Sequence, residues 1–242
     1  MKLIIDVGNT KIKLALFQGY QILSKEAISN KKLIEAIQIL LSKNPTLKHS
    51  IISSVGNLSD HQLSFLRENF ELFQVNHQTK IPFINLYKTP KTLGIDRICI
   101  VAGAKFFYPK ENALIIDAGT CVTYDFVTKK GDYLGGGISP GLNLRYKSLN
   151  NYTANLPLLK SKIPKNYIGD STEQSIHVGV ALGLVNEIDG VIYNYKKNHS
   201  NLTVILTGGD ANFLSDQLKN SIFVHSDLLV EGLNFIFEFN QN

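Results

Sequence analysis

The chain opens on a short apolar run, Leu3-Ile4-Ile5, which passes through Asp6-Val7-Gly8-Asn9-Thr10 into a stretch where Ile12, Leu14 and Leu16 alternate with Lys11, Lys13 and Ala15. A period of two around a glycine turn predicts strand, tight turn, strand. The period then lengthens. Residues 31–43 carry apolar positions at helical spacing, with Asn30 placed to cap the start and Pro45 beyond the end. Ile51-Ile52-Ser53-Ser54-Val55 predicts a short strand, residues 59–70 an amphipathic helix and residues 71–75 another strand. Residues 98–112, beginning Ile98-Cys99-Ile100-Val101, predict a helix that joins the first half to the second.

Near residue 113 the pattern restarts. Ala113-Leu114-Ile115-Ile116 leads into Asp117-Ala118-Gly119-Thr120, and Val122, Tyr124, Phe126 and Val127 form a second strand. Ile5-Asp6-x-Gly and Ile116-Asp117-x-Gly stand 111 residues apart, a spacing that predicts duplicated lobes over residues 1–112 and 113–242 rather than a short-period solenoid. A glycine-rich stretch follows at residues 135–141, then a long helix over 175–195. The strand Thr203-Val204-Ile205-Leu206 runs into Thr207-Gly208-Gly209-Asp210, followed by helices expected over 211–219 and 228–239.

Composition narrows the class. Of 242 residues, 44% are hydrophobic and 19% charged, which excludes a disordered chain. Two cysteines, Cys99 and Cys121, exclude a disulfide scaffold and fit a reducing compartment. No apolar run in the sequence reaches the roughly 18 residues of a bilayer span, and Asp6 interrupts what a signal peptide would continue. These features predict a cytoplasmic protein with no membrane partner. The net charge of +5 raises the question of nucleic acid. Residues 1–112 carry 15 Lys+Arg against 8 Asp+Glu, the remainder 10 against 12, and the excess is scattered rather than run together. Solvated surface lysine accounts for most of it, a field attracting a small anion for the rest, and no nucleic-acid partner is expected. The six histidines form no close pair at ligand spacing, so no zinc site is expected. There is no Gly-x₄-Gly-Lys-Ser/Thr loop.

The chemistry concentrates in the glycine corners. Glycine admits positive φ and lets a ligand approach the backbone, and consecutive turn amides bind an anion in one concavity. The Thr10 and Thr120 hydroxyls add donors. Asp6 and Asp117 repel a phosphate directly and make sense where a cation intervenes. A single Asp-x-Gly is also an ordinary hairpin turn; two at equivalent positions are a stronger signal. Thr207-Gly208-Gly209-Asp210, between strand and helix, reads equally as a nucleotide-binding turn or as ordinary loop chemistry.

These three corners in this order resemble the acetate and sugar kinase, heat-shock chaperone and actin superfamily, and within it the type III pantothenate kinases. The resemblance covers essentially the whole chain. Its carrying motifs are Asp6-Val7-Gly8-Asn9-Thr10; Tyr87 with Pro90, then Gly94-Ile95-Asp96-Arg97; Asp117-Ala118-Gly119-Thr120; Gly135-Gly136-x-Ile138-x-Pro140-Gly141; Thr172; and Thr207-Gly208-Gly209. It implies an α/β fold of two duplicated ribonuclease H-like lobes with a cleft between them, the actin-like ATPase fold. The implied reaction is ATP-dependent phosphorylation of pantothenate to 4′-phosphopantothenate, the first step toward coenzyme A. Asp96 is implied as general base. Tyr87, Gly94, Ile95, Asp96, Arg97 and Thr172 are implied to hold pantothenate. Asp6, Val7, Gly8, Asn9, Thr10, Lys11, Ile12 and Lys13, with Thr120, Gly208 and Gly209, are implied to hold ATP. Asp6 is implied to hold Mg²⁺ through water and Asp117 a monovalent cation, K⁺ or NH₄⁺. A homodimer with the substrate pocket near the subunit interface is implied as well.

Taken alone, Asp96-Arg97 at a helix start reads as a structural ion pair; beside the resemblance, Arg97 suits a substrate carboxylate through two parallel hydrogen bonds. One departure stands in Thr172-Glu173-Gln174-Ser175, where the family often has an apolar residue and then Glu. Two alternatives stay open at this level: a kinase of the same fold with another small hydroxy substrate, and a non-catalytic regulator of the kind that some family members are named for.

Overall fold

A computed structural model describes residues 1–8, 10–53 and 58–241. Asn9 of the first corner, and Ser54 and Val55 of the strand expected over 51–55, lie outside the described residues. The chain runs β1 (Lys2–Val7), β2 (Ile12–Gln18), β3 (Gln21–Ile28), α1 (Leu33–Lys43), β4 (His49–Ile52), α2 (Asp60–Asn69), β5 (Glu71–Gln74), β6 (Ile84–Asn85) and α3 (Ile95–Phe107). It continues with β7 (Asn112–Ala118), β8 (Cys121–Val127), β9 (Asp132–Pro140), α4 (Leu142–Asn151), α5 (Thr172–His177), a π-helical turn at Val178–Leu182 and α6 (Gly183–Asn198). Last come β10 (Leu202–Thr207), α7 (Ala211–Ser215), β11 (Phe223–Val224) and α8 (Leu228–Gln241).

Two units result, residues 1–109 with 227–242, and residues 110–226. The sequence reading divided the chain at 112 and kept 113–242 together; the structure returns α8 to the first unit. The expected joining helix over 98–112 starts earlier, at Ile95, ends at Phe107 and lies within the first unit. α3 and α8 pack closely, and eight residues of each are buried.

In the first unit the strands stand in the order β3-β2-β1-β4-β5. β1 pairs antiparallel with β2, β2 with β3, and β1 pairs parallel with β4, as β4 does with β5. The second unit repeats this pattern as β9-β8-β7-β10-β11, with β7–β8 and β8–β9 antiparallel and β7–β10 and β10–β11 parallel. Each unit is thus hairpin, third strand, then parallel strands reached by crossover connections. The repeat seen at Asp6 and Asp117 extends to five strands of each sheet.

Each sheet is covered by the helices that its own crossovers supply. Leu3 and Ile5 of β1 pack with Leu33 and Ile37 of α1 and Leu66 of α2, and α8 also packs on β1, so every residue of β1 is buried. In the second unit Leu114, Ile116, Val122, Val204 and Leu206 pack against Ile176, Val180, Leu184 and Ile188. Residues 172–198 are long and apolar enough by length and composition to cross a bilayer, but that apolarity is the stripe just named, seated in the core.

Local starts differ from expectation at α1. Asn30 does not cap it: the chain enters through a 3₁₀ turn at Asn30–Lys32, and the Asn30 carbonyl and side chain both accept from Gln62 Nε2, at 2.8 and 2.9 Å. Gln62 belongs to a capping box, its Oε1 accepting from Ser59 N–H while Ser59 Oγ accepts from Gln62 N–H. The helix expected over 211–219 is shorter, ending at Ser215.

Candidate active site

In both units the aspartate is the penultimate residue of the first strand, and the turn after it is tied by the glycine N–H. Gly8 N–H donates to the Lys11 carbonyl at 3.2 Å, and Gly119 N–H to the Cys121 carbonyl at 2.9 Å. The two corners differ in length. Val7 pairs with Ile12 across four turn residues, Ala118 with Val122 across three. Thr10, Lys11 and Thr120 are exposed at these turns, while Val7 and Ile12 are core side chains that offer the corner only their backbone.

Asp6 is 7% exposed, and one carboxylate oxygen accepts from Ser53 Oγ at 3.0 Å. Ser53 Oγ in turn accepts from Val7 N–H at 3.2 Å, and Ser53 N–H donates to the Ile5 carbonyl. The residue following β4 therefore locks the end of β1. Burial pushes the Asp6 carboxyl above the usual carboxylate range; Lys13 and Ser53 pull it back, and the charge on Asp96 adds to the rise. Asp6 and Asp96 thus share one electrostatic neighbourhood. Cys99, fully buried, feels both: burial first, then the charges of Asp6 and Asp96, hold its thiol far above its ordinary value.

Asp96 lies exposed in the first turn of α3, where Oδ1 accepts the Arg97 N–H at 2.9 Å. Arg97 is buried, and its guanidinium stands 5.7 Å from the centre of the Tyr87 ring. Gly94, Ile95, Asp96 and Arg97 form the N-cap and first turn of α3, and Tyr87 stands against Arg97.

In the second unit the third corner folds onto the second. Gly208 has φ +97°, and a Cβ there would lie 2.3 Å from the Ala118 carbonyl oxygen and 2.4 Å from Asp117 Oδ1. Asp210 N–H donates to that same Ala118 carbonyl at 2.9 Å. From the other side Gly141, whose N–H donates to the Thr120 carbonyl, comes so close that a Cβ would sit 2.1 Å from the Gly119 carbonyl oxygen. The glycine-rich motif therefore packs its backbone directly against the Asp117 corner. It is also a strand, β9, followed by a helix, α4, neither of which its composition suggested. Gly209 is exposed beside the corner. α7 is five residues long, too short for the sizeable N-terminal potential that a longer helix would supply.

Thr172 is exposed in the first turn of α5, whose N-cap Ser171 accepts the Gln174 N–H at 3.3 Å. It opens on a pocket of about 710 Å³ within the second unit, lined by Leu149, Leu156, Thr172, Ser175, Ile176 and Gly179 among others. Two polar groups elsewhere in the second unit are not signalled by the sequence. Tyr124, Ser139 and Arg145 converge on Glu187, with Tyr124 Oη donating to Glu187 Oε1 at 2.9 Å and Arg145 Nη2 to Glu187 Oε2 and Ser139 Oγ. Tyr146 meets His177. Neither has a motif, because the bonds of Tyr124 and Arg145 to Glu187, and of Tyr146 to His177, span 31 to 63 residues. Ser53, by contrast, could have been found from the repeat: it follows β4 as Gly208 follows β10.

Among the described residues no group of three or more His, Cys, Asp or Glu is placed to hold a metal ion. The fit to cations rests instead on single carboxylates: Asp6, desolvated and coupled to Asp96, and Asp117, set among backbone carbonyls. Hard oxygen donors of this kind suit Mg²⁺ or an alkali cation that takes its remaining ligands from phosphate and water.

The type III pantothenate kinase family model matches residues 2–194. A type III pantothenate kinase of Flavobacterium johnsoniae is 48% identical over 239 residues, covering 99% of this chain and 98% of that protein. One of Christiangramia forsetii is 49% identical over 241 residues, covering 100% and 99%. Among solved structures, a protein described as a Baf family transcriptional activator from Campylobacter jejuni superposes with a TM-score of 0.63 at 20% identity, covering 99% of each chain. A glucokinase from an Antarctic psychrotroph gives 0.53 at 10% identity, covering 98% of each. These distant likenesses carry the fold, the α/β actin-like ATPase architecture, and not the activity. With a family model over most of its length and full-length relatives near half identity, the chain belongs to the type III pantothenate kinase family.

Proposed function

We propose that this enzyme uses ATP to phosphorylate pantothenate to 4′-phosphopantothenate, the first step of coenzyme A biosynthesis. Family membership supplies the reaction. The observation that carries its assignment to residues is Asp96, an exposed carboxylate at a helix N-terminus beside Arg97 and electrostatically coupled to the buried Asp6. Phosphoryl transfer asks a protein for in-line positioning and charge neutralisation more than for covalent chemistry. Asp96 accepts the proton of the attacking hydroxyl as the new P–O bond forms and ADP departs. Arg97, Tyr87 and the turn at Gly94 and Ile95 hold pantothenate with that hydroxyl toward Asp96, and Thr172 contacts it from α5. The amides and hydroxyls of Gly8 to Lys13 and of Thr120 bind the phosphates, and the backbone at Gly208 and Gly209 takes the adenosine.

Asp6 would hold Mg²⁺ through water, and Asp117 a monovalent cation, K⁺ or NH₄⁺. When bound, they neutralise charge on the phosphates. The reading supports a cytoplasmic homodimer. Its test is an assay of the purified enzyme on pantothenate with ATP and Mg²⁺, with and without K⁺ or NH₄⁺. Phosphopantothenate is the expected product, and product from another hydroxy acid with none from pantothenate overturns the substrate. Asp96→Asn loses roughly 10²–10⁴-fold in kcat, the usual worth of a general base, and still binds ATP; near-normal turnover removes Asp96 from that role.

A further inference from the structure

The pocket that carries Thr172 is walled partly by α4 and α5, and one buried polar contact ties these two helices together. Leu149 of α4 and Ile176 of α5 line it. Nearly one turn back on α4, Tyr146 is 2% exposed; beside Ile176 on α5, His177 is 4% exposed. Tyr146 Oη lies 2.7 Å from His177 Nδ1, with the rings edge to face at 69°. His177 Nε2 faces Glu173 Oε1 at 3.6 Å, one turn earlier on the same helix. The carboxylate favours the proton on Nε2, so Nδ1 accepts from the tyrosine hydroxyl. One buried hydrogen bond therefore joins α4 to α5.

A phenylalanine against a leucine would fill the same space with no polar group to desolvate, and burying a hydroxyl and an imidazole is tolerable only because each is paired. What the polar pair adds over an apolar one is a fixed distance and angle. Directly after His177 the helix widens into its π turn, and Gly179 of that turn lines the pocket. Such turns are frequent at functional sites.

We propose that Tyr146 and His177 are positioning residues that pin α4 to α5 at the separation pantothenate requires, with Glu173 orienting the His177 ring. This gives Glu173, the residue out of place in the family pattern, a role. The proposal rests on the reading that the Thr172 pocket receives pantothenate.

The test is steady-state kinetics on Tyr146→Phe, His177→Leu, His177→Asn and Thr172→Val, varying pantothenate and ATP separately, with a thermal melt of each protein. Tyr146→Phe keeps the ring and its packing; His177→Asn keeps a polar group near Nδ1. Tyr146→Phe and His177→Leu are expected to raise KM for pantothenate about three- to tenfold, the size of one neutral hydrogen bond, with kcat and KM for ATP little changed. His177→Asn recovers most of the difference, and the double variant Tyr146→Phe/His177→Leu is no worse than the worse single one, because both remove the same contact. If Thr172→Val raises KM for pantothenate while Tyr146→Phe and His177→Leu do not, the pin is overturned and the pocket stands. An unchanged KM in Thr172→Val overturns the pocket and the pin with it. A fall in kcat that tracks a lowered melting temperature, with both KM values unmoved, marks a purely structural contact and also overturns the pin.

Discussion

Gly94 leaves open the space that the Asp96 carboxylate occupies. A Cβ at 94 would come within 2.2 Å of Asp96 Oδ1, and the clashing atom is the end of a side chain that can swing away. Gly94→Ala should therefore cost catalysis rather than folding. The expected result is a fall in kcat of about 10²-fold, the usual cost of a 1 Å misplacement, with a shift in melting temperature below about 2 °C. A large loss of stability with normal kcat would refute it. Asp6 makes the complementary case. Burial raises its carboxyl above the ordinary range, so the folded protein holds that proton at a pH where the unfolded chain has released it. The stability Asp6 contributes is whole below its unfolded pKa and lost as pH rises through its folded pKa. Asp6→Asn should melt higher than the parent at pH 7, and the gain should vanish below about pH 4, the ordinary aspartate range. Turnover is lost in the same variant, as expected where a destabilising charge is retained for function. Melting curves from pH 3 to 8 decide it. At this scale the sequence was informative because the residues are local: Gly94, Asp96 and Arg97 are spelled out within one turn. Ser53, which reaches Asp6 from 47 positions away, is marked only by its place in the repeat.

Between elements the decisive contacts are glycine crossings and one carboxylate hub. Gly232 of α8 meets α3 so closely that a Cβ would stand 1.9 Å from the Cys99 carbonyl oxygen. Because that neighbour is backbone, Gly232→Ala should cost about 1–3 kcal/mol by overpacking, read by chemical denaturation. Glu187 of α6 collects donors from β8, β9 and α4. Burial alone would raise its carboxyl, but hydrogen bonds from Arg145, Ser139 and Tyr124 outweigh that and hold it below the usual range. The stability it contributes is present above the unfolded pKa and lost as pH falls through the lowered folded one. Glu187→Gln should destabilise by about 1.5–3 kcal/mol at neutral pH, the worth of hydrogen bonds to a charged group, and a neutral effect would remove the hub. The elements that periodicity missed have physical reasons for being missed. β3 is an edge strand exposed along most of its length, so it has no apolar alternation to show. β9 is rich in glycine, and α4 buries only Leu142 and Tyr146. The long helix over 172–198 reads as continuous because a π turn leaves its apolar stripe unbroken.

For the whole molecule the repeat at Asp6 and Asp117 was the most readable feature, and it extended to five strands of each sheet, arranged in one order. Duplication is legible because the signal is a motif at the end of a buried strand, where chemistry and packing coincide. Membership of α8 was not legible, since an amphipathic helix declares that it packs but not on what. That helix has a further consequence. The second unit is one uninterrupted segment, residues 110–226, whereas the first is completed only by residues 227–242. During synthesis α8 leaves the ribosome after every residue of the second unit, so the N-terminal unit is the later of the two to finish folding, against the usual order in which domains fold as they emerge. Until then α3 has no partner for the face that Gly232 and Leu228 cover, and that exposed face becomes a natural handle for chaperones on the nascent chain. Ribosome-stalled chains carrying a C-terminal linker just long enough to bring residue 226, but not α8, out of the exit tunnel, probed by limited proteolysis, should show a protected second unit and an open first one, with protection of the first appearing only once a longer linker lets α8 clear the tunnel.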